Sequence, residues 1–277
     1  MRTQTVENAG EIELDDVYEA GLTHQAAGRA EEAVKAFRKC LELDPADHGG
    51  AAIRLAALGA AQSPDAAPVA YVATLFDQHA EDFDDILVGQ LDYDVPALMR
   101  KRIDELGLAR GFDRLLDLGC GTGLAGEVME DLCDELVAVD LSEAMITIAA
   151  ERGCYDDLYV AEAVNFLQNT EEEPFDMIVA TDVLPYVGAV EAMFAGLASN
   201  ANPDALIAFS TETQPADYMQ GADWKVGPHH RYAHDETYLH RELGRAGFDV
   251  ADVTEITVRL EEGKPVPGQL FLAIRRA

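Results

Sequence analysis

The stretch LLDLGCGTGLAGEVME, residues 115 to 130, constrains this chain more than any other. An apolar run ends in a glycine-rich turn and passes directly into a helical pattern. That is the signature of a strand–turn–helix unit that cradles a nucleotide. Two spacings overlap in it. Gly119, Gly121 and Gly123 make G-x-G-x-G, while Gly121, Gly123 and Gly126 make G-x-G-x-x-G, the dinucleotide fingerprint. The glycines alone leave the nucleotide open.

The surrounding pattern sets the fold class. Apolar strand-like runs recur near 114–118, 135–140, 157–161, 175–180 and 204–210, separated by helical segments. Such alternation predicts an α/β unit with a parallel sheet covered by helices on both faces. Two further runs, 248–260 and 267–275, are joined by only EEGKPVPG, too short for a helical crossover. They are expected to pair antiparallel and to place a reversed strand in the sheet.

Residues 14–47 read as two short amphipathic helices around a turn at Gly28, with Ala20, Gly21, Ala33, Phe37 and Cys40 where helices must approach closely. Pro45 ends the second. This stretch resembles a tetratricopeptide repeat, with Val17 where an aromatic is usual, and residues 50–61 resemble the first helix of an uncompleted second one. Such arrays need about three repeats to stand alone. A helical cap or dimer contact is therefore favoured over a peptide groove, and a homodimer or protein partner would use this face. AQSPDAAP, residues 61–68, is the expected linker. The expected domains are a helical segment over 1–62 and an α/β domain over 69–277.

Charge narrows the partners. The 277 residues carry 52 Asp plus Glu against 20 Lys plus Arg, a formal −32. A field of that sign repels phosphate backbones and anionic lipid, so neither nucleic acid nor membrane is expected as partner. The N-terminal sequence has no signal-peptide core, and the four cysteines form no C-x-x-C pair or zinc pattern. A cytoplasmic protein with reduced thiols and no metal site is expected.

Acidic residues address the nucleotide. Asp117, at the end of the first strand, would face a dinucleotide's pyrophosphate repulsively. Asp140 ends the second strand, seventeen residues beyond Gly123, where an acid takes hydrogen bonds from ribose hydroxyls of either cofactor. LLDLGCGTG, VAVDLSEAMI and FDMIVATDVLPYVG resemble successive motifs of class I S-adenosylmethionine-dependent methyltransferases. The whole chain resembles bacterial methyltransferases with an N-terminal tetratricopeptide repeat. The resemblance implies a Rossmann-like seven-stranded sheet with an antiparallel last strand, and S-adenosyl-L-methionine as cofactor with S-adenosyl-L-homocysteine as product. It implies that Gly119, Gly121 and Gly123 let the backbone approach the cofactor, and that Asp117 lies near its amino group. Asp140 would hold the ribose, Leu141 and Met145 the adenine ring, and Glu162 the adenine amino group. Asp182, after the fourth strand, stands where the pocket turns to substrate.

On the substrate side, YVATLFDQHAEDFDDIL is the expected lid, with Tyr71, Phe76, His79 and Phe83 at helical spacing; packing of this helix on the domain is an equal alternative. KVGPHHRYAHDETYLH gathers four of the seven histidines with Lys225 and Arg231. His230 and His234 are candidate bases, with Asp182 and Tyr186 as further catalytic candidates. Arg231 would bind a substrate carboxylate, with His79 and Tyr232 beside it. Asp182-Val-Leu-Pro185-Tyr186 departs from the Pro-Pro-Tyr run of exocyclic-amine methylases. The expectation is methyl transfer to a small molecule, one bearing a carboxylate. The alternatives are a protein or carrier-bound substrate, or a non-catalytic cofactor-binding assembly protein.

Overall fold

The computed structural model describes residues 2–277, with side chains from residue 13 onward. Three helices open the chain: α1 (Arg2–Ala26), α2 (Ala30–Leu43) and α3 (Ala51–Ala57). The buried side chains of Ala33, Phe37 and Cys40 hold α1 against α2. Gly21 permits the approach, since a Cβ there would stand 2.7 Å from the Phe37 ring. Helix α3 divides its packing. Leu55 joins the α1–α2 core, whereas Ile53 and Ala56 pack with Tyr186, Val226 and Tyr232 of the α/β unit.

The segment expected as a linker is a strap. Ala66 bridges Val187 antiparallel, the Ala67 N–H donates to the Tyr186 carbonyl at 2.9 Å, and the Asp65 carbonyl accepts the Gly188 and Ala189 N–H groups. The Tyr232 hydroxyl donates to the Pro64 carbonyl at 2.7 Å. Small residues let this backbone lie flat against the domain, and prolines at its ends give up no donor that the contact needs.

After the strap come the lid helix α4 (Val69–His79), a 3₁₀ turn (Ala80–Asp82), a π-helical turn (Asp85–Gln90) and α5 (Val95–Glu105). The α/β unit then runs β1 (Phe112–Leu118), α6 (Leu124–Met129), β2 (Cys133–Asp140), α7 (Glu143–Arg152), β3 (Asp157–Val160), α8 (Ala163–Asn169), β4 (Phe175–Ala180), α9 (Glu191–Ser199) and β5 (Ala201–Glu212). It closes with α10 (Ala216–Met219), β6 (Trp224–Val226), β7 (Tyr232–His234), α11 (Glu236–Ala246), β8 (Phe248–Glu261) and β9 (Lys264–Arg275).

The sheet has nine strands, and its long strands run in the order β3-β2-β1-β4-β5-β9-β8. β1 to β5 pair parallel, while β9 inserts antiparallel between β5 and β8. The reversed hairpin at the end is thus present. The expected count of seven is corrected by β6 and β7, which pair antiparallel and meet the end of β5 through Glu212 and Ala233. Three residues each, they are too short for a two-residue period to reveal. Two apolar layers cover the faces of the sheet. Strand order reverses at β1, between β2 and β4, and the crevice at the carboxyl ends of those strands is where such sheets bind ligands.

Candidate functional site

The turn after β1 is built for close backbone approach. Gly119, Gly121 and Gly123 have φ of +74°, +54° and +95°, a region that costs other residues about 1–2 kcal/mol each. A Cβ on Gly119 would also stand 2.5 Å from Val183 Cγ2. The Gly119 and Cys120 N–H groups donate to the Val139 carbonyl at 2.7 and 3.0 Å, fixing the turn to the end of β2. There Asp140 accepts the Gly121 N–H at 2.8 Å and the Ser142 N–H at 2.9 Å. Burial pushes its carboxyl up, and those N–H donors work against the push.

These residues open onto a cavity of about 540 Å³, within the range of small-ligand sites. Gly119, Gly121, Asp140, Leu141 and Glu162 line its nucleotide end. Glu162 also caps α8, accepting the Val164 and Asn165 N–H groups at 3.0 and 2.7 Å. Three residues expected at the cofactor lie behind this wall. Met145 is fully buried, and its N–H donates to the Ser142 hydroxyl that caps α7. Gly123 starts α6 against Arg152 and Tyr155. Asp117 is fully buried. The Tyr155 hydroxyl donates to its Oδ2 at 2.6 Å, while its Oδ1 has no partner. Burial raises the Asp117 carboxyl to about 7, with Asp140 adding to the rise. A turn of left-handed glycines and an acid at the pocket wall, backed by the buried Asp117 carboxyl, suit a cationic, ribose-bearing ligand.

The other end of the cavity is polar. Asp182, at φ +60°, accepts Arg231 Nη1 on Oδ2 at 3.1 Å, and its Oδ1 is buried without a partner. Its N–H donates to the Ser210 hydroxyl at 2.8 Å. Arg231 lies 5.3 Å from the Tyr186 ring centre and 3.9 Å from Glu212. Glu212 in turn pairs with Arg259 at 2.6 Å, and Arg259 reaches Glu261 at 3.1 Å. Burial pushes the Tyr186 phenol up to about 12. Asp182, Tyr186 and Arg231 therefore meet at one end of the cavity, where Arg231 is already paired.

The histidine-rich stretch comes apart in three dimensions. His234 is buried, with Nδ1 2.9 Å from the Thr211 hydroxyl and Nε2 2.8 Å from the Val187 carbonyl. Burial holds it near 4, so it is neutral at pH 7 and has no open face for a substrate. His230, also held near 4 by burial, turns to the N-terminal helices, with Nε2 3.1 Å from Gln25 and 3.4 Å from Arg54. His229 pairs with Glu261 at 2.9 Å. Tyr232 is fully buried under the strap, and His79 ends α4 exposed to solvent. None of His79, His230, Tyr232 and His234 lines the cavity. Folding β7 into the sheet sends Tyr232 and His234 inward, leaving Arg231 at the cavity.

The segment expected as a lid, or as a helix packed on the domain, contributes to the cavity. Val72, Phe76, Phe83 and Leu87 line the cavity, and Phe76 packs edge-on against Tyr186 and Phe83 at 5.3 and 5.9 Å. Tyr71 instead fills the space beside Gly50. Sequence reasoning missed the strap residues Asp65, Ala66 and Ala67, and also Tyr93 and Thr181, all of which line the cavity. Thr181 directly follows β4, the available signal; nothing local marks the strap. No helix among the described residues is long and apolar enough to cross a membrane.

A family model described as "Methyltransferase domain" matches residues 91–253, and the chain belongs to that family. It is similar to a ubiquinone biosynthesis O-methyltransferase of Hahella chejuensis, 31% identical over 39% of this chain and 47% of that protein. It is also similar to a malonyl-[acyl-carrier protein] O-methyltransferase of Bacillus anthracis, 27% identical over 45% of this chain and 49% of that protein. The chain spans about half the length of these curated relatives. Among solved structures, magnesium protoporphyrin IX methyltransferase from Synechocystis with bound S-adenosylhomocysteine shares the fold. Its TM-score is 0.54 at 18% identity, over 75% of this chain and 99% of that one. The N-methyltransferase NodS from Bradyrhizobium japonicum, in complex with S-adenosylhomocysteine, gives 0.52 at 17% identity, over 67% and 90%.

Proposed function

We propose that this chain is an enzyme transferring a methyl group from S-adenosylmethionine to an oxygen of a small molecule. The observation that carries the reading is the single cavity joining the Gly119–Gly123 turn and Asp140 at one end to Asp182 and Arg231 at the other. The curated relatives, by their names, act on oxygen. When bound, the cofactor supplies an electrophilic methyl carbon on a cationic sulfur.

The chain's own residues bind, align and keep water out. Asp140 would accept from ribose hydroxyls with the lone pairs that Gly121 and Ser142 leave free. Glu162 and Leu141, which line the same end of the cavity, would meet the adenine. The lid aromatics Phe76 and Phe83, with Val72 and Leu87, make the middle of the cavity apolar. Dispersing positive charge during transfer is favoured in such a water-poor space, and alignment supplies much of the rest. A hydroxyl nucleophile needs a proton acceptor, and the unpartnered Asp182 Oδ1 fits that role. Arg231 carries five N–H donors, of which Asp182 takes one hydrogen bond. The remaining donors suit a carboxylate or similar anionic group on the substrate.

The test is a screen of hydroxylated and carboxylated metabolites with radiolabelled S-adenosylmethionine, run on the intact chain alongside calorimetry with S-adenosylhomocysteine. Label transferred to an oxygen supports the reading. Cofactor binding with turnover of an amine or thiol instead would overturn the oxygen assignment. Absence of S-adenosylhomocysteine binding would overturn the function as a whole.

A further inference from the structure

The lid is joined by carboxylates to the turns that follow β1 and β2. On α4, Asp77 accepts a hydrogen bond from the hydroxyl of Ser142, the residue whose N–H donates to Asp140. Between the 3₁₀ and π-helical turns, Asp84 accepts the Thr122 hydroxyl and pairs with Arg152 Nη2. Thr122 belongs to the glycine turn itself.

Arg152 is central to the second contact. Its Nε donates to the Thr122 carbonyl, its Nη1 meets Glu127 of α6 at 2.5 Å, and its side chain is only 14% exposed. Its Cδ packs against the turn so tightly that a Cβ on Gly123 would stand 2.8 Å away. One guanidinium thus grips the backbone of the cofactor turn with one nitrogen and the lid with another. The lid needs a cation there. Residues 77–85 contain Asp77, Glu81, Asp82, Asp84 and Asp85, in a chain whose formal charge is −32. Without a positive partner, that run would be repelled from the body.

We propose that Arg152 is a positioning residue that latches the lid through Asp84 onto the glycine turn and sets the rate at which the cofactor leaves. The proposal rests on the cavity being the S-adenosylmethionine site. Asp77 and Ser142 form the second latch, at the end of β2. A ligand enclosed between turn and lid departs only after these bonds open, so weakening a latch speeds departure more than it slows arrival.

Stopped-flow dissociation of S-adenosylhomocysteine, together with hydrogen exchange over residues 69–90 in the ligand-free chain, tests this. Asp84→Asn and Arg152→Met are expected to raise the dissociation rate about tenfold, with association changed by no more than about twofold. Arg152→Lys should be intermediate, because a single ammonium cannot span the Thr122 carbonyl and Asp84 as the planar fork does. The double variant should be no faster than Arg152→Met alone, since both changes break one contact. Lid exchange should quicken in each variant. Dissociation within about twofold of wild type in both single variants would overturn the latch. So would a loss of affinity arising from association alone with lid exchange unchanged, the pattern of a general structural defect. If the wild type fails to bind S-adenosylhomocysteine, the proposed function fails, and exchange over 69–90 still decides the latch: faster in Asp84→Asn supports it, unchanged refutes it.

Discussion

Replacing Asp117 by asparagine should stabilise the ligand-free protein and weaken cofactor binding, two effects of opposite sign from one charge. The carboxyl is fully buried, has one orphaned oxygen and is raised from 3.8 to about 7. At about 1.4 kcal/mol per pH unit, keeping it ionised in the folded state costs roughly 4 kcal/mol. The sign follows from linkage. A folded pKa above the unfolded one means that the folded state holds its proton longer. Stability is therefore lost as pH climbs from about 4 to about 7, and the loss is complete above that. Asparagine does not titrate and keeps an oxygen for the Tyr155 hydroxyl. Urea unfolding should show the variant gaining on wild type as pH rises, with about 2 kcal/mol of the gain appearing between pH 5.5 and pH 8. Affinity for S-adenosylhomocysteine should fall by no more than about tenfold at pH 8, because Asp117 lies behind the cavity wall and acts on the ligand's ammonium through its charge and not as a direct partner. A variant equally destabilised at both pH values, with unchanged affinity, would refute this account of Asp117.

Asp140→Ala should weaken S-adenosylhomocysteine binding by about 1–3 kcal/mol in calorimetry, since it removes the proposed ribose acceptor and frees the Gly121 N–H. Gly119→Ala should cost about 1–2 kcal/mol from its φ of +74°, more from the contact with Val183, and should abolish measurable cofactor binding. Arg231→Ala leaves Asp182 and Glu212 short of a cation, so denaturation should show a loss of about 3–5 kcal/mol, with little change in S-adenosylhomocysteine affinity. A chain beginning at Pro68 should fold but melt lower than the full chain, because Tyr186, Val226 and Tyr232 lose the cover of Ile53, Ala56 and the strap; an unchanged melting temperature would show that this cover adds nothing.

Local pattern carried the nucleotide end. The β1–turn–α6 unit, Asp140 at the end of β2 and the reversed β8–β9 hairpin all depend on residues close in sequence. Composition misled at the histidine-rich stretch. Lys225, His229, His230, Arg231 and His234 look like one positive patch in the sequence, yet a three-residue strand and a left-handed His230 (φ +62°) scatter them. Arg259 was equally hidden. The β8–β9 register slips between Thr257 and Arg259, so Val258 and Arg259 are both buried where strict alternation would expose one. That bulge turns a buried arginine onto Glu212, behind Arg231. The strap left no local signal because its role is set by what it lies against, Val187 and Tyr232, more than a hundred residues away.

Calorimetric titration of the intact chain with S-adenosylhomocysteine and, separately, with NAD tests the central claim most directly. The account predicts saturable binding of S-adenosylhomocysteine at one site, abolished by Gly119→Ala, and none of NAD. Tighter binding of NAD, or S-adenosylhomocysteine binding that survives Gly119→Ala unchanged, would contradict it.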